Sequence, residues 1–484
     1  MKQLTRNKPK ALVPVQNLPM LFHLFRKYPE KKYVIIGDYK YDVLRRYLEA
    51  FAKVDYKIVD AGGKQGTCGG IGEALSHIPE GEAFLLIWSD LILPQEYEMP
   101  VEEADYVGIS KDFPCRWRYE DGIFSENPSE EHGVAGHFIF RDKSVIEDVP
   151  PEGEFVRWLG EKGLRFRELA LHRTREYGLL SEYEKLETEK CRPFNRLTVQ
   201  GERVVKEGID SQGRALAVRE CAWYEKLAEK KFENIPQIYA LHPLTMEKIK
   251  GKNIYEYTGL PFEKKKEILW QVTECLRKVH RLESAPADRE SYYEAYIGKT
   301  FDRLKKVRGL VPFADDAVVT VNGRKCRNVF LERQLLEQRV EEYFPKEFRL
   351  LHGDCTFSNL LLKDGLTPVL IDPRGYFGRT EFCGDPAYDW VKLYYSIVGN
   401  YDQFNLKRFE LEIREQEVTL QIASNHWEDM EQTFFELLEG EVTRQQMKLL
   451  HAIIWLSLTT YAWEDYDSIC GAFYNGLYYL EEAL

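Results

Sequence analysis

The chain has 484 residues, 44% of them hydrophobic and 30% charged, with a formal net charge of −12 at pH 7. That length fits roughly two to four domains with ordinary cores, and an acidic balance without a long basic run gives no support for nonspecific nucleic-acid binding or for docking on an anionic membrane. There is no apolar run long enough to span a bilayer and no charged-then-apolar leader after Met1, and the nine scattered cysteines include no CxxC pair, so a cytoplasmic protein without a disulfide framework or structural zinc is expected.

Up to about residue 190, short apolar strands alternate with amphipathic helices. Tyr33 to Gly37 and Ala83 to Asp90 read as strands, and Tyr41 to Phe51 as a helix with Val43, Leu44, Tyr47, Leu48 and Phe51 on one face. That order predicts a mostly parallel, Rossmann-like sheet in an α/β domain, with ligands at the carboxyl ends of strands, where Asp90 sits. Taken alone, a strand-end Asp is more often a turn or cap residue.

Three strings shift that balance: Lys8-Pro9-Lys10-Ala11-Leu12-Val13-Pro14-Val15 followed by Pro19-Met20, then Gly66-Thr67-Cys68-Gly69-Gly70, then Ser89-Asp90. Together they resemble the sugar-phosphate nucleotidyltransferase family. The resemblance implies that Lys10 meets phosphate, that Gly66 and Thr67 pass close to the base of a nucleoside triphosphate, and that Asp90 binds magnesium. The Gly136 to Phe140 strand fits the same pattern, and Arg175-Glu176-Tyr177-Gly178 stands where the family places its second metal carboxylate, here Glu176 instead of Asp. One departure is large: the family's opening strand and Gly-x-Gly-x-Arg loop, whose backbone N–H groups cradle phosphates, do not precede Lys8. A sheet edge or central gap is expected in their place.

Pro193 marks the next change, and the second domain is drawn as a small lobe over 191–252 and a large helical lobe over 253–484. Asn195 to Val199 and Arg203 to Lys206 read as a hairpin, and Ala215 to Lys226 as a helix. In a kinase small lobe a strand lysine reaches the α- and β-phosphates and a helix glutamate fixes it. Lys206 and Glu220 are the natural pair, with Glu225 as a rival. Leu244 to Ile249 resembles a hinge, with backbone groups of Met246, Glu247 and Ile249 facing adenine. Lys265 to Leu282, Ser291 to Lys306, Glu332 to Phe344, the run after Tyr388 and Leu449 to Trp463 all read as helices.

The centre of the second domain is His352-Gly353-Asp354-Cys355-Thr356-Phe357-Ser358-Asn359, followed by the apolar run ending at Asp372. An Asp five residues before an Asn, then a second Asp at a strand end, is the spacing of a kinase catalytic loop. Asp354 would orient the attacking hydroxyl as base, and Asn359 and Asp372 would hold the metal. With Gly384-Asp385-Pro386-Ala387-Tyr388-Asp389 added, the three blocks resemble the aminoglycoside phosphotransferase and choline kinase family. That implies a bilobal, protein-kinase-like α+β domain using ATP and Mg2+ on a small-molecule hydroxyl acceptor, with His352 and Asp385 structural. Arg374, two residues past Asp372, would clamp an anionic acceptor or the moving phosphoryl group, which argues against a cationic acceptor such as choline, or else form a salt bridge to a neighbour such as Asp385 or Asp389.

The leading expectation is therefore a small-molecule kinase fused behind a nucleotidyltransferase-like domain, in synthesis of nucleotide-activated precursors or surface polysaccharide. The alternative keeps the kinase and makes the first domain a noncatalytic binding or assembly module. Homo-oligomer formation is left open.

Overall fold

Runs rich in Val, Ile and Phe form the strands of both halves of the chain, and helices with apolar residues at three- and four-residue spacing pack over them. The structure, a computed structural model, describes residues 3–178, 183–184, 186, 195–415 and 417–484. The chain divides into two units, Met1–Glu187 with Glu464–Tyr466, and Thr188–Trp463 with Asp467–Leu484. The expected border at residues 190–191 and the break at Pro193 lie outside the described residues.

In the first unit, Lys32–Gly37 pairs in parallel with Asp55–Asp60, Ile35 opposite Ile58. The helix Tyr41–Phe51 lies between them in sequence and buries Leu44, Tyr47, Leu48 and Phe51. This pair is a sheet by itself. The larger sheet runs in the order Arg167–Leu171, Tyr106–Ser110, Gly133–Phe140, Arg118–Glu120, Ile123–Ser125, with Phe84–Ile87 also on Gly133–Phe140.

The expectation of a mostly parallel sheet is corrected here. Gly133–Phe140 runs antiparallel to Phe84–Ile87, Tyr106–Ser110 and Arg118–Glu120, and only Arg167–Leu171 joins in parallel. A strand apolar on both faces reads the same in either direction, so periodicity cannot supply strand sense. A register shift between Val134 and Phe138 bends the strand at Gly136, where φ is +73° and a Cβ would come within 2.3 Å of the Trp88 ring. Val107, Ile109, Phe138, Phe140, Phe155 and Leu159 fill the core beneath.

The second unit opens with the predicted hairpin, Asn195–Gln200 against Arg203–Gly208, Leu197 opposite Lys206. It continues into a four-stranded antiparallel sheet whose order is completed by Leu244–Glu247 and Ile238–Leu241. The helix Ser211–Glu229 starts earlier than expected because the Asp210 carboxylate accepts from Gly213 N at 2.7 Å, a regular N-cap. Leu360–Lys363 and Thr367–Leu370 form the hairpin that brackets the catalytic loop.

Two features of the large lobe differ from the sequence reading. The helix expected over Ser291 to Lys306 is broken into Arg289–Tyr293, a π turn at Glu294–Gly298 and Lys299–Val307; such turns occur often at functional sites. A four-stranded sheet also stands among the helices: Arg324–Arg327, Val318–Val321, Glu417–Ile422 and Phe409–Arg414, in that order. Asn322 and Gly323 turn its first hairpin with φ of 49° and 76°.

Candidate active site

Gly353 passes through φ +81°, which turns the chain so that Asp354 leaves the loop while His352 stays inside it. The His352 ring is fixed at both nitrogens: Nδ1 accepts from Asp354 N at 3.2 Å, so Nε2 carries the proton and donates to Ile371 O at 2.9 Å. Burial lowers its pKa, which keeps this tautomer neutral. Asn359 Nδ2 donates to Asp354 O at 2.8 Å and to Asp354 Oδ2 at 3.1 Å. Ile371 N reaches back to Asn359 O at 3.1 Å, so the three acidic and amide residues predicted from spacing stand in one hydrogen-bonded loop.

Asp354 Oδ1 also lies 2.9 Å from Lys392 Nζ, a partner that sequence reasoning missed. Burial alone would raise the Asp354 pKa, but Lys392 and then Arg374 outweigh it and hold the carboxyl below its ordinary value. The group is thus ionised at neutral pH, with Oδ2 facing Asn359.

Beneath the loop, the Asp389 carboxylate is fully buried and accepts from His352 N at 3.0 Å, from Gly353 N at 2.7 Å and from His280 Nε2 at 3.0 Å. Asp385 is buried as well, taking hydrogen bonds from Tyr296 Oη at 2.8 Å and Ala387 N at 3.1 Å. Neither pairs with Arg374, whose Nη1 and Nη2 donate to Tyr388 Oη at 2.6 Å and Tyr376 Oη at 2.8 Å. The salt bridges weighed for Arg374 are therefore absent.

Burial pushes Asp385 up to about 6, against the bonds it accepts. Its folded-state pKa lies above the unfolded one, so the folded protein holds this proton longer and stability falls as pH rises from about 4 to 6. Asp385→Asn keeps the bond to Ala387 N and removes the charge. Its stability relative to the parent protein is expected to improve by about 2 kcal/mol between pH 4 and pH 7. Urea unfolding at the two pH values checks this; an unchanged difference would assign no titration to Asp385.

Lys206, 8% exposed, lies 2.8 Å from Glu220 Oε2 and 2.6 Å from Asp372 Oδ1. Burial disfavours its charge, but the two carboxylates reverse that and hold the ammonium protonated. Glu225 takes no part. The helix that carries Glu220 also props the loop, since Trp223 Nε1 donates to Leu351 O at 2.7 Å. Asp372 sits at φ +55°, a conformation that turns its carboxylate back toward Lys206. Asp372 and Asn359 are hard oxygen donors on one loop; Asn359 offers its amide oxygen, since the amide nitrogen is engaged. This donor set fits magnesium better than a softer metal.

At the expected hinge, Met246 lies in the sheet, paired with Val204 and Ile238. Glu247 N already donates to Gln237 O, and Lys248 N to Glu202 O. The Glu247 N–H is thus engaged within the small lobe, whereas among the described residues the Ile249 N–H makes no backbone hydrogen bond.

In the first unit, Lys10 Nζ lies 2.5 Å from Asp90 Oδ2. The short pairing of Arg175–Glu176 with Leu91–Ile92 brings Glu176 beside them. Burial, with Asp90 adding to it, pushes Glu176 up to about 7 against the pull of Lys10. At Gly66 a Cβ would strike Gly153, and Thr67 Oγ1 donates to Glu154 Oε1 and accepts from Phe155 N, starting the helix Phe155–Glu161. That hydroxyl has an internal structural role. Among the described residues no group of three or more His, Cys, Asp or Glu is arranged to hold a metal.

Comparison with known proteins places these observations. Among solved structures, the chain is similar to choline kinase LicA from Streptococcus pneumoniae at 13% identity, covering 60% of this chain and 90% of that one with a TM-score of 0.38. It is similar to aminoglycoside phosphotransferase APH(3'')-Id from Streptomyces rimosus at 14%, covering 53% and 87% with a TM-score of 0.33. It is also similar to the inositol-1-phosphate CTP transferase from T. maritima at 13%, covering 38% and 85% with a TM-score of 0.32. No curated protein matches. Residues 131–410, more than half of the chain, match the model of the phosphotransferase enzyme family, and the chain belongs to that family.

Proposed function

We propose that the second unit transfers the γ-phosphoryl group of ATP to a hydroxyl of a small metabolite. The observation that carries this reading is the Asp354 carboxylate, kept ionised by Lys392 and oriented by Asn359, in a loop that also holds Asp372 against Lys206. Asp354 would accept a hydrogen bond from the acceptor hydroxyl and take its proton as the oxygen–phosphorus bond forms and the bond to ADP breaks. Asn359 and Asp372 would hold Mg2+, which when bound neutralises charge on the β- and γ-phosphates. Lys206, fixed by Glu220, would meet the α- and β-phosphates. Ile249 N would meet the adenine.

The experiment is ADP release from MgATP against sugars, amino alcohols and hydroxy acids. Asp372→Ala is expected to weaken MgATP binding by about tenfold or more, since the one charged ligand assigned to the metal is lost. Calorimetric titration reads this directly, and unchanged affinity would remove Asp372 from the nucleotide site.

The juxtaposition of Lys10, Asp90 and Glu176 favours a second reading for the first unit, a site for a nucleoside triphosphate resembling that of the sugar-phosphate nucleotidyltransferases. In that reading the kinase product is its acceptor, as in routes to nucleotide-activated precursors of surface polysaccharide. The alternative is a binding or assembly module. Pyrophosphate release from CTP, UTP, GTP and ATP with the kinase product present separates the two.

A further inference from the structure

The second unit contains a cavity of about 210 Å³ whose lining includes Lys299, Arg303, Arg374, Tyr376, Tyr388 and Glu294. Three of these six residues are cations, and they arrive from separate places: Lys299 and Arg303 from the helix that follows the π turn, Arg374 from the loop after Asp372. We propose, resting on the kinase reading, that this cavity is the acceptor site and that the acceptor is a hydroxylated compound already bearing a phosphomonoester, which these three cations bind.

The first argument is that the cations lack carboxylate partners. Buried charges are costly unless paired, and among the described residues no ion pair is formed by Lys299, Arg303 or Arg374. Arg374 donates to two tyrosine hydroxyls. Arg303 donates to Ser457 O and stands 5.7 Å over the Tyr461 ring. The Lys299 ammonium lies 5.5 Å over the Tyr388 ring. A guanidinium has five N–H donors and an ammonium three, so most of the donor capacity remains for a ligand.

The second argument is the size of the unbalanced charge. One carboxylate, Glu294, lines the cavity against three cations. The excess matches a phosphomonoester, which carries about −1.5 to −2 at pH 7, better than a single carboxylate. Planar guanidinium forks also suit phosphate oxygens. Burial together with Arg374, Arg303 and Lys392 lowers the Lys299 pKa well below its ordinary value, so the full charge of this third cation is one that a bound dianion restores.

The third argument is position. Tyr388, in the cavity wall, precedes Lys392 by one turn on the helix Ala387–Ile397, and Lys392 holds Asp354. Arg374 packs against Gly353 closely enough that a Cβ there would come within 2.8 Å of the Arg374 Cβ. A ligand anchored through phosphate in the cavity therefore lies beside the base.

The test uses the full chain and matched acceptors: a polyol, its carboxylated form and its monophosphate, for example glycerol, glycerate and glycerol phosphate, with the corresponding ribose and inositol series. ADP release is expected to favour the monophosphate in at least one series by about a hundredfold in kcat/KM, since each charge-assisted contact contributes about tenfold to a hundredfold. Lys299→Met and Arg303→Met should each lower that value about tenfold or more while MgATP binding stays at its parent level. Equal or better use of neutral, cationic or carboxylated acceptors overturns the proposal and leaves the kinase reading intact. Binding of inorganic phosphate, read as a thermal shift, should be lost in Lys299→Met and kept in Lys206→Met. Phosphate binding of that kind without ADP release from any acceptor would refute the kinase reading and keep the anion site; phosphate binding unaffected by Lys299→Met would refute the site.

Discussion

Asp354→Asn is expected to lower ADP release by about a thousandfold, within the range that general bases contribute, with MgATP binding nearly unchanged. Only the carboxylate's ability to orient and deprotonate the acceptor hydroxyl is lost; the nucleotide contacts assigned to Lys206, Asp372 and Asn359 remain. Lys392 would face an amide in place of a charge, at a stability cost of about 1–2 kcal/mol. Because Lys392 and Arg374 hold the Asp354 pKa down, the parent enzyme should show no ionisation of this base between pH 6 and 8. Single-turnover measurement with an acceptor from the matched series decides the matter: near-parent turnover in the variant would take the catalytic role away from Asp354.

The second large effect is expected at Asp389. Its carboxylate satisfies two backbone donors at the turn of the catalytic loop and the His280 ring at once, with no exposure to solvent. Asp389→Asn removes the charge and turns one amide nitrogen toward a donor that it cannot serve. Breaking such a buried pair costs about 3 kcal/mol or more. Activity should fall with stability, because His352 N and Gly353 N are what fix the direction in which Asp354 leaves the loop. The Asp389 pKa is lowered despite burial, since His280 and the loop N–H groups favour the ionised form. Its contribution is therefore complete above the unfolded value and is lost as pH falls through the folded one. Denaturant midpoints at pH 7 and at about pH 2, below the unfolded value, measure both; a variant as stable and active as the parent would show that the loop is held by other means.

The catalytic loop was legible in the sequence because its chemistry is local. Asp354 and Asn359 share one turn, and Asp372 follows at the end of a two-strand hairpin, so spacing alone fixes their neighbourhood. Lys206 and Glu220 were legible for a related reason: a strand and the helix after it pack by default. Lys392, Lys299 and Arg303 were not, because a cation in a helical pattern reads as a solvated charge, and only tertiary packing brings Lys392 to Asp354 and sets Lys299 and Arg303 beside Arg374. The hairpin around Asn322-Gly323 was available to sequence reasoning, an Asn-Gly pair preceded by the β-branched run Val318 to Val321, and was missed. The direction of the Gly133–Phe140 strand was not, since an apolar run carries no sense of direction. Thr67 shows a further limit: a motif residue can be absorbed into capping a helix, which no spacing rule reveals.

The Lys206 contacts make the two cationic regions of the second unit opposites at rest. The lysine is quenched by the chain itself, held between Glu220 and Asp372. A free anion arriving there finds its counter-charge already taken and must compete with Asp372, which a nucleotide can do only by bringing many contacts at once. Among the described residues Lys299, Arg303 and Arg374 form no ion pair, and Glu294 is the one carboxylate in the lining of their cavity. Small anions in solution should therefore inhibit this enzyme by crowding the acceptor and not the nucleotide: competition kinetics with sulfate would raise the apparent KM of the acceptor while leaving that of ATP in place.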